Sequence, residues 1–315
     1  MNLPAAARRP NPQAAAHITL FNDERFQRCN LAAGQRPFRY DHIVGGRLIG
    51  TFSGVIDGAV LDCGHSAPFG GIDFTRRGES AGAIADLLRV AALRAREAGA
   101  SELRVRARPG YYGPNETAVE FAMLNLGAAV DACELSLGIE TARFGSPQAY
   151  EAGLKSSGRR TLRHGLHAGM EFAAAESAAE WAACYALLDE TRRRHGARLR
   201  ISFDYVMQLR EMFGQRIAMH RLRREGELAG AALVYRIARD WDYVVAWGDD
   251  LRHRPYRVVN VLAHQLVRQA IAQRLSVVDA GVSSIAGVAD DGLIHFKRSV
   301  GATTGLRLYF RLPLG

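Results

Sequence analysis

Residues 255–281 read PYRVVNVLAHQLVRQAIAQRLSVVDAG, and this stretch decides the fold class. Val259, Leu262, Leu266 and Ala270 recur at helical spacing, which predicts a helix over residues 258–273 with one apolar face. Residues 276–279 then read as a strand. Upstream, helices are expected over 178–195 and 204–213. They are followed by three strands, 216–223, 228–237 and 243–247, with turn pairs Glu225-Gly226 and Arg239-Asp240 between them. Downstream come a helix over 291–300 and a closing strand over 306–312. A meander, a helix, a strand, a helix and a last strand make an α/β pattern.

The first half of the chain has the same grammar. A helix is expected over 23–33 with Asn22 as its N-cap. Strands 38–44, 48–56 and 59–62 follow, turned by Gly45-Gly46 and Asp57-Gly58. Ile84, Leu87, Leu88, Ala91 and Ala95 mark a helix over 80–98 that Gly99 ends. A strand over 103–107, a helix over 116–126 and a strand or pair of strands over 129–140 complete it. The repeated order suggests duplication of one fold. The expected domains are 17–145 and 146–315, with the break at Phe144-Gly145-Ser146-Pro147. Residues 1–16 carry Arg8 and Arg9 but no apolar core, so they read as a disordered leader rather than a secretion signal.

Composition narrows the function classes. Hydrophobic residues make up 48% and charged residues 23% of the chain, ordinary for a protein that buries real cores. No apolar run approaches the roughly 18 residues that suggest a membrane span, and the cytoplasm is the simplest expected location. Cys29, Cys63, Cys133 and Cys184 lack the close spacing of a zinc knuckle or a redox pair. His164 and His167 have no carboxylate or cysteine nearby in sequence, so no metal is expected. A net charge of +9 suits nucleic acid, phosphorylated cofactors or anionic surfaces without choosing among them. Of 41 basic residues only Lys155 and Lys297 are lysines, so each marks a place where a compact ammonium can matter.

Four stretches carry a family resemblance. They are residues 155–172, KSSGRRTLRHGLHAGMEF; 277–281, VVDAG, after the long helix; 292–301, GLIHFKRSVG; and 66–71, SAPFGG. In this order they resemble the Fem peptidyltransferases and the FemAB-like acetyltransferases. The resemblance implies two tandem acetyltransferase-like (GNAT) domains, each a mixed, mostly antiparallel sheet flanked by helices. It implies transfer of an acyl group from acyl-CoA to an amine of a small-molecule, sugar or peptide acceptor. Aminoacyl transfer from tRNA is the alternative, and a binding module that has lost its chemistry is a third reading. One departure stands out. The family's glycine-rich phosphate loop corresponds here to residues 252–257, RHRPYR, which contain no glycine; residues 77–82, RGESAG, match it only in part.

Acyl transfer requires a bound donor, an acceptor, a base and stabilisation of the tetrahedral oxyanion. Arg254 and Arg257 at a helix start, with Tyr256 and Asn260, form a candidate grip on the phosphates of coenzyme A or tRNA; a solvated basic turn is the plain alternative. By resemblance Lys297 faces the reaction channel as the stabilising cation, against an ordinary exposed lysine. His295 is a candidate general base by residue type, against the plainer reading of a surface or satisfied core histidine. Asp279, at a strand end beside Ser283, is read as a base or as an orienter of the acceptor amine, or simply as a carboxylate bonded to loop N–H groups. Trp247 walls a pocket or fills the core. Arg108, Tyr111 and Tyr112 are candidates for an acceptor cleft between domains, or an exposed loop. Arg159, Arg160 and Arg163 touch an anionic substrate or form a solvated helix face.

Overall fold

The computed structural model describes residues 17–315, so the expected leader lies outside the described residues. The chain packs into two compact units. One contains residues 17–107, Thr117–Val130 and Tyr309–Gly315; the other contains Arg108–Glu116 and Asp131–Leu308. Both are interleaved in sequence, whereas the break at residues 144–147 falls inside the second unit. The reason is strand pairing. Residue Glu140 pairs with Val277, and residues 309–313 return to pair with the strand Glu102–Arg106.

The first unit begins with α1 (Glu24–Arg28), which is shorter than expected. Asp23 caps it, accepting from the Arg25 N–H. Asn22 is unavailable as the cap because its amide donates to Asp73 and its carbonyl accepts from the Gly71 N–H. Then come β1 (Arg36–Val44), β2 (Arg47–Asp57), β3 (Val60–Cys63) and β4 (Ile72–Phe74), the last not anticipated from sequence. The first three form an antiparallel meander, and β4 pairs with β2. Helix α2 (Ala81–Glu97), capped by Ser80, buries the five expected apolar residues. It leads into β5 (Glu102–Arg106), parallel to β3. Helix α3 (Asn115–Asn125) follows.

The second unit opens with β6 (Ala129–Glu140), a single strand whose first two residues belong to the other unit. Next are α4 (Pro147–Gly153), α5 (Ser156–Leu166), β7 (Met170–Ala174), α6 (Ala178–Arg194) and α7 (Phe203–Phe213). A second antiparallel meander, β8 (Ile217–Arg224), β9 (Glu227–Arg236) and β10 (Trp241–Asp249), precedes α8 (Val258–Ala272) and β11 (Val277–Val282). A small hairpin, β12 (Ser284–Ile285) with β13 (Val288–Ala289), leads to α9 (Asp291–Ser299) and β14 (Thr303–Pro313). The strand order is β14-β6-β11-β10-β9-β8-β7. As in the first unit, a helix carries the chain from a three-stranded meander to a parallel neighbour, here β10 to β11. Helix α8 buries Val258, Val261, Leu262, Leu266 and Val267 in the unit's core, and each such side chain contributes roughly 1.5–3 kcal/mol on full burial. The protein is thus mixed α/β, with mixed sheets flanked by helices. Among the described residues no helix is long and apolar enough to cross a membrane.

Candidate active site

The parallel pairing that defines this fold is short. Strands β10 and β11 pair only from Trp241↔Val277 to Tyr243↔Asp279. Beyond that point β10 runs on to Asp249 and β11 to Val282 without pairing to each other. The parting coincides with a register shift in β10 between Val244 and Ala246, because an extra residue bends the strand that carries it. The facing backbone groups of the two diverging strands therefore lack ladder partners across the gap. Such an edge can accept an extended ligand that carries its own amides.

Asp279 sits where the strands part and is fully buried. Its Oδ2 accepts from the Tyr112 hydroxyl at 2.7 Å and from Arg307 Nη2 at 3.4 Å, and its Oδ1 accepts from the Gly281 N–H at 2.6 Å. Arg307 is 2% exposed. It also donates to the Ser136 hydroxyl at 3.2 Å, which shares a 2.8 Å bond with the Tyr111 hydroxyl. Burial pulls the Arg307 guanidinium down, but Asp279 and Tyr243 outweigh it and hold it above its usual value. Burial, reinforced by the Asp279 charge, pushes both Tyr111 and Tyr112 well above the ordinary phenol range, so they remain neutral donors. The Tyr111 ring needs two glycines beside it: a Cβ at Gly138 or Gly305 would lie 2.5 or 2.9 Å from ring carbons.

Lys297 reaches this point from α9. It is 2% exposed, and its Nζ donates to the carbonyls of Gly281 at 2.9 Å and Val282 at 2.8 Å. An ammonium has three donors, so one N–H is left for another partner. Burial lowers its pKa from 10.5 to about 7, against the attraction of Asp279 and with the repulsion of Arg307 and Arg192. The cluster thus sets one carboxylate against two basic side chains in a buried place, where an excess positive charge acts strongly.

The other expected residues are placed as follows. Arg108 is buried in an ion pair with Glu116 at 2.9 Å and lies over the Trp241 ring, which meets the Tyr112 ring edge-on at 4.8 Å. Ser283 is buried and its hydroxyl has no hydrogen-bond partner among the described residues. Trp247 packs edge-on against Phe296 at 5.2 Å and joins the core. His295 lies on the exposed side of α9, because positions two apart on a helix point to different faces; the structure does not bring it to Lys297 or Asp279. The basic turn is a 3₁₀ segment, Leu251–Tyr256, in front of α8. Arg254 and Arg257 are exposed, and Arg257 is left-handed at φ +58°. Tyr256 lies under the Arg224 guanidinium at 4.0 Å, and Asn260 donates to Ser299 Oγ at 3.3 Å, tying α8 to α9. Much of the turn's backbone is already engaged: the N–H groups of Arg252, His253 and Arg257 bond to Asp250, Asp250 and Arg254. Helix α5 lies alongside, with His164 bonded to the Pro255 carbonyl at 3.2 Å and Arg160 and Arg163 exposed.

The acetyltransferase (GNAT) domain model matches residues 153–298. The matched residues contain the parting strands, the basic turn, Asp279 and Lys297. The fold of most of the chain is that of FemX, whose crystal structure superposes with a TM-score of 0.69 at 11% identity, over 89% of this chain and 88% of that one. The C-terminal domain of a putative lysylphosphatidylglycerol synthetase from Agrobacterium fabrum gives a TM-score of 0.59 at 10% identity, over 95% and 89%. L-PGS from Bacillus licheniformis gives 0.55 at 11% identity, over 88% and 83%. No curated protein matches the chain by sequence. Within the matched residues the structure gathers Asp279 and Lys297, and it adds Tyr111 and Tyr112 from the loop after β5. Arg307 and Tyr243 belong to the cluster but were missed from sequence, since an arginine in an alternating strand reads as solvent-facing. Among the described residues no group of three or more His, Cys, Asp or Glu side chains could hold a metal ion.

Proposed function

We propose that the protein is an acyltransferase in which Lys297 stabilises the oxyanion of the tetrahedral intermediate at the parting of β10 and β11. The observation that carries this reading is the buried Lys297 ammonium, held by two carbonyls with one N–H to spare. The acyl carbonyl of the donor enters the gap; where the donor is acyl-CoA, its pantetheine amides extend the open strand edge. The acceptor amine attacks, the developing oxyanion meets the lysine, and collapse forms the amide and expels the donor's thiol or ribose hydroxyl, which takes up the proton that the nitrogen gives up. A preorganised donor of this kind typically contributes about 10²–10³ in rate. The unit formed by Arg108–Glu116 and Asp131–Leu308 carries this chemistry, in the cytoplasm, on a small-molecule, sugar or peptide amine.

The donor is the finer question. The glycine-free turn supports aminoacyl-tRNA: its N–H groups are largely occupied, so phosphates would be held by the side chains of Arg254 and Arg257 and, alongside, Arg160 and Arg163. That basic strip suits several phosphates in a row better than one pyrophosphate. The likeness to a lysylphosphatidylglycerol synthetase is consistent with aminoacyl transfer. Acyl-CoA is the second reading, favoured by the GNAT match itself. Titration of the protein with acetyl-CoA and with charged tRNA at two salt concentrations decides. Tight, strongly salt-dependent binding of tRNA, weakened in Arg254→Ala, supports the first donor. Salt-tolerant micromolar binding of acetyl-CoA alone supports the second. Binding of neither removes the proposal.

A further inference from the structure

Asp279 occupies the position where a general base would be sought, yet its surroundings point elsewhere. No part of its side chain is exposed, and every oxygen accepts from a protein donor: Gly281 N–H on Oδ1, and Tyr112 and Arg307 on Oδ2. A carboxylate so engaged has no access to an acceptor's proton. The bond to Gly281 instead has a consequence for the backbone. Against β6, Asp279 faces Gly138 but Val282 faces Ser136, so β11 carries one residue more than its partner over this interval. Gly281 takes φ +77° within it. A bulge that places a glycine in the left-handed region re-aims the groups that follow. Here the carbonyls of Gly281 and Val282 both accept from Lys297.

We propose that Asp279 is a positioning residue for Lys297: its bond to the Gly281 N–H sets the bulge whose two carbonyls grip the ammonium, while Tyr112 and Arg307 occupy the other carboxylate oxygen so that it forms no ion pair with the lysine. The inference rests on the reading of Lys297 as the reacting cation for its relevance to catalysis, but its geometry stands apart from any substrate. The charged groups around the ammonium are Asp279 on β11, Arg307 on β14, Arg192 on α6 and Asp290 at the start of α9. An ammonium paired to Asp279 would be neutralised. In its protonated form, one held by neutral carbonyls has no partner charge to offset it and keeps a free donor for an oxyanion.

The two-lysine composition makes the test direct. Protein grown with ¹³C-lysine gives Cε/Hε signals from Lys155 and Lys297 only, and Lys155→Arg assigns them. The gripped Lys297 is expected to show two separate Hε signals, and the exposed Lys155 a single averaged one. Gly281→Ala leaves every charge in place, and a Cβ there would meet only the Tyr243 hydroxyl at 3.5 Å, an ordinary contact. It disfavours the left-handed bulge, so the two Lys297 signals should merge toward the Lys155 position. Asp279→Ala should do the same where circular dichroism shows it folded; if it does not fold, Gly281→Ala decides alone. Unchanged, separate Lys297 signals in folded Gly281→Ala overturn the proposal. With a working transfer assay, Gly281→Ala should lower kcat about 10–100-fold, as expected for a displaced reacting group, with KM unchanged. Merged signals with no transfer by the wild-type protein would leave the positioning intact and refute the acyltransferase reading.

Discussion

Lys297 and Arg254 are cations of the same unit, but the protein holds them in opposite ways. Lys297 is buried, fixed by two backbone carbonyls, and surrounded by a carboxylate, an arginine and tyrosines whose bonds are almost all internal. Arg254 and Arg257 stand in solvent on a turn whose backbone is largely occupied. The first arrangement suits a charge that must already be in place when an oxyanion forms, since a site that does not reorganise stabilises it best. The second suits phosphates, which arrive hydrated and are gripped by adaptable guanidinium forks. Lysine in the one and arginine in the other follow the same division.

The comparison can be broken most sharply at its buried end. Lys297→Met should lower kcat about 10²–10³-fold with the fold intact, checked by single-turnover transfer and circular dichroism; a rate within threefold of wild type would separate the cluster from the chemistry. At the exposed end, Arg254→Ala with Arg257→Ala should weaken donor binding about tenfold or more and flatten its salt dependence by about two phosphate contacts. It should leave kcat at saturation close to wild type, whereas Lys297→Met should leave the salt slope unchanged. Binding isotherms at several ionic strengths read both.

Stability against pH sharpens the same contrast. The Lys297 pKa is lowered from 10.5 to about 7 in the fold, so between these values the unfolded chain holds the extra proton and stability should rise with pH. The gain is at most a few kcal/mol, at about 1.4 kcal/mol per unit, and it should vanish in Lys297→Met. His264, stacked on Tyr150, and His220, stacked on Phe172, are each pushed by burial down to about 4. Stability should therefore fall as pH drops from 6.5 toward 4, less steeply in His264→Leu; thermal unfolding across pH 4–10 measures both limbs. The smallest effect belongs to His295, exposed on the far side of α9: His295→Ala should change kcat and its pH profile by less than about twofold, within the surface range.

Most of the element order was legible because periodicity reports burial. The α8 face and the strand after it fixed the parallel step, and α2 kept its five apolar residues inward. Lys297 was legible through the Phe-Lys segment and the scarcity of lysine. What escaped depended on pairing over long distances. Hydropathy alone puts Leu306 inward and its neighbour Arg307 outward, yet Leu306 is 49% exposed and Arg307 2%. The inversion follows from a partner, Asp279, that lies on another strand and has no local signature. Asp279 itself was noticed, but whether it takes a substrate proton or shapes the backbone depends on the donors around it. The shift of the α1 N-cap from Asn22 to Asp23 has a similar origin: Asn22 is recruited by Asp73, about fifty residues away in sequence.

The central claim is tested most directly by donor discharge. Charged tRNA carrying radiolabelled amino acids, and separately radiolabelled acetyl-CoA, would be incubated with the protein and a dialysable cell-extract fraction as the source of acceptor amines. Label should leave one of the two donors and appear in an amide-linked product with the wild-type protein, and this transfer should be nearly lost in Lys297→Met. Transfer by Lys297→Met at the wild-type rate, or none from either donor with the wild type, would contradict it.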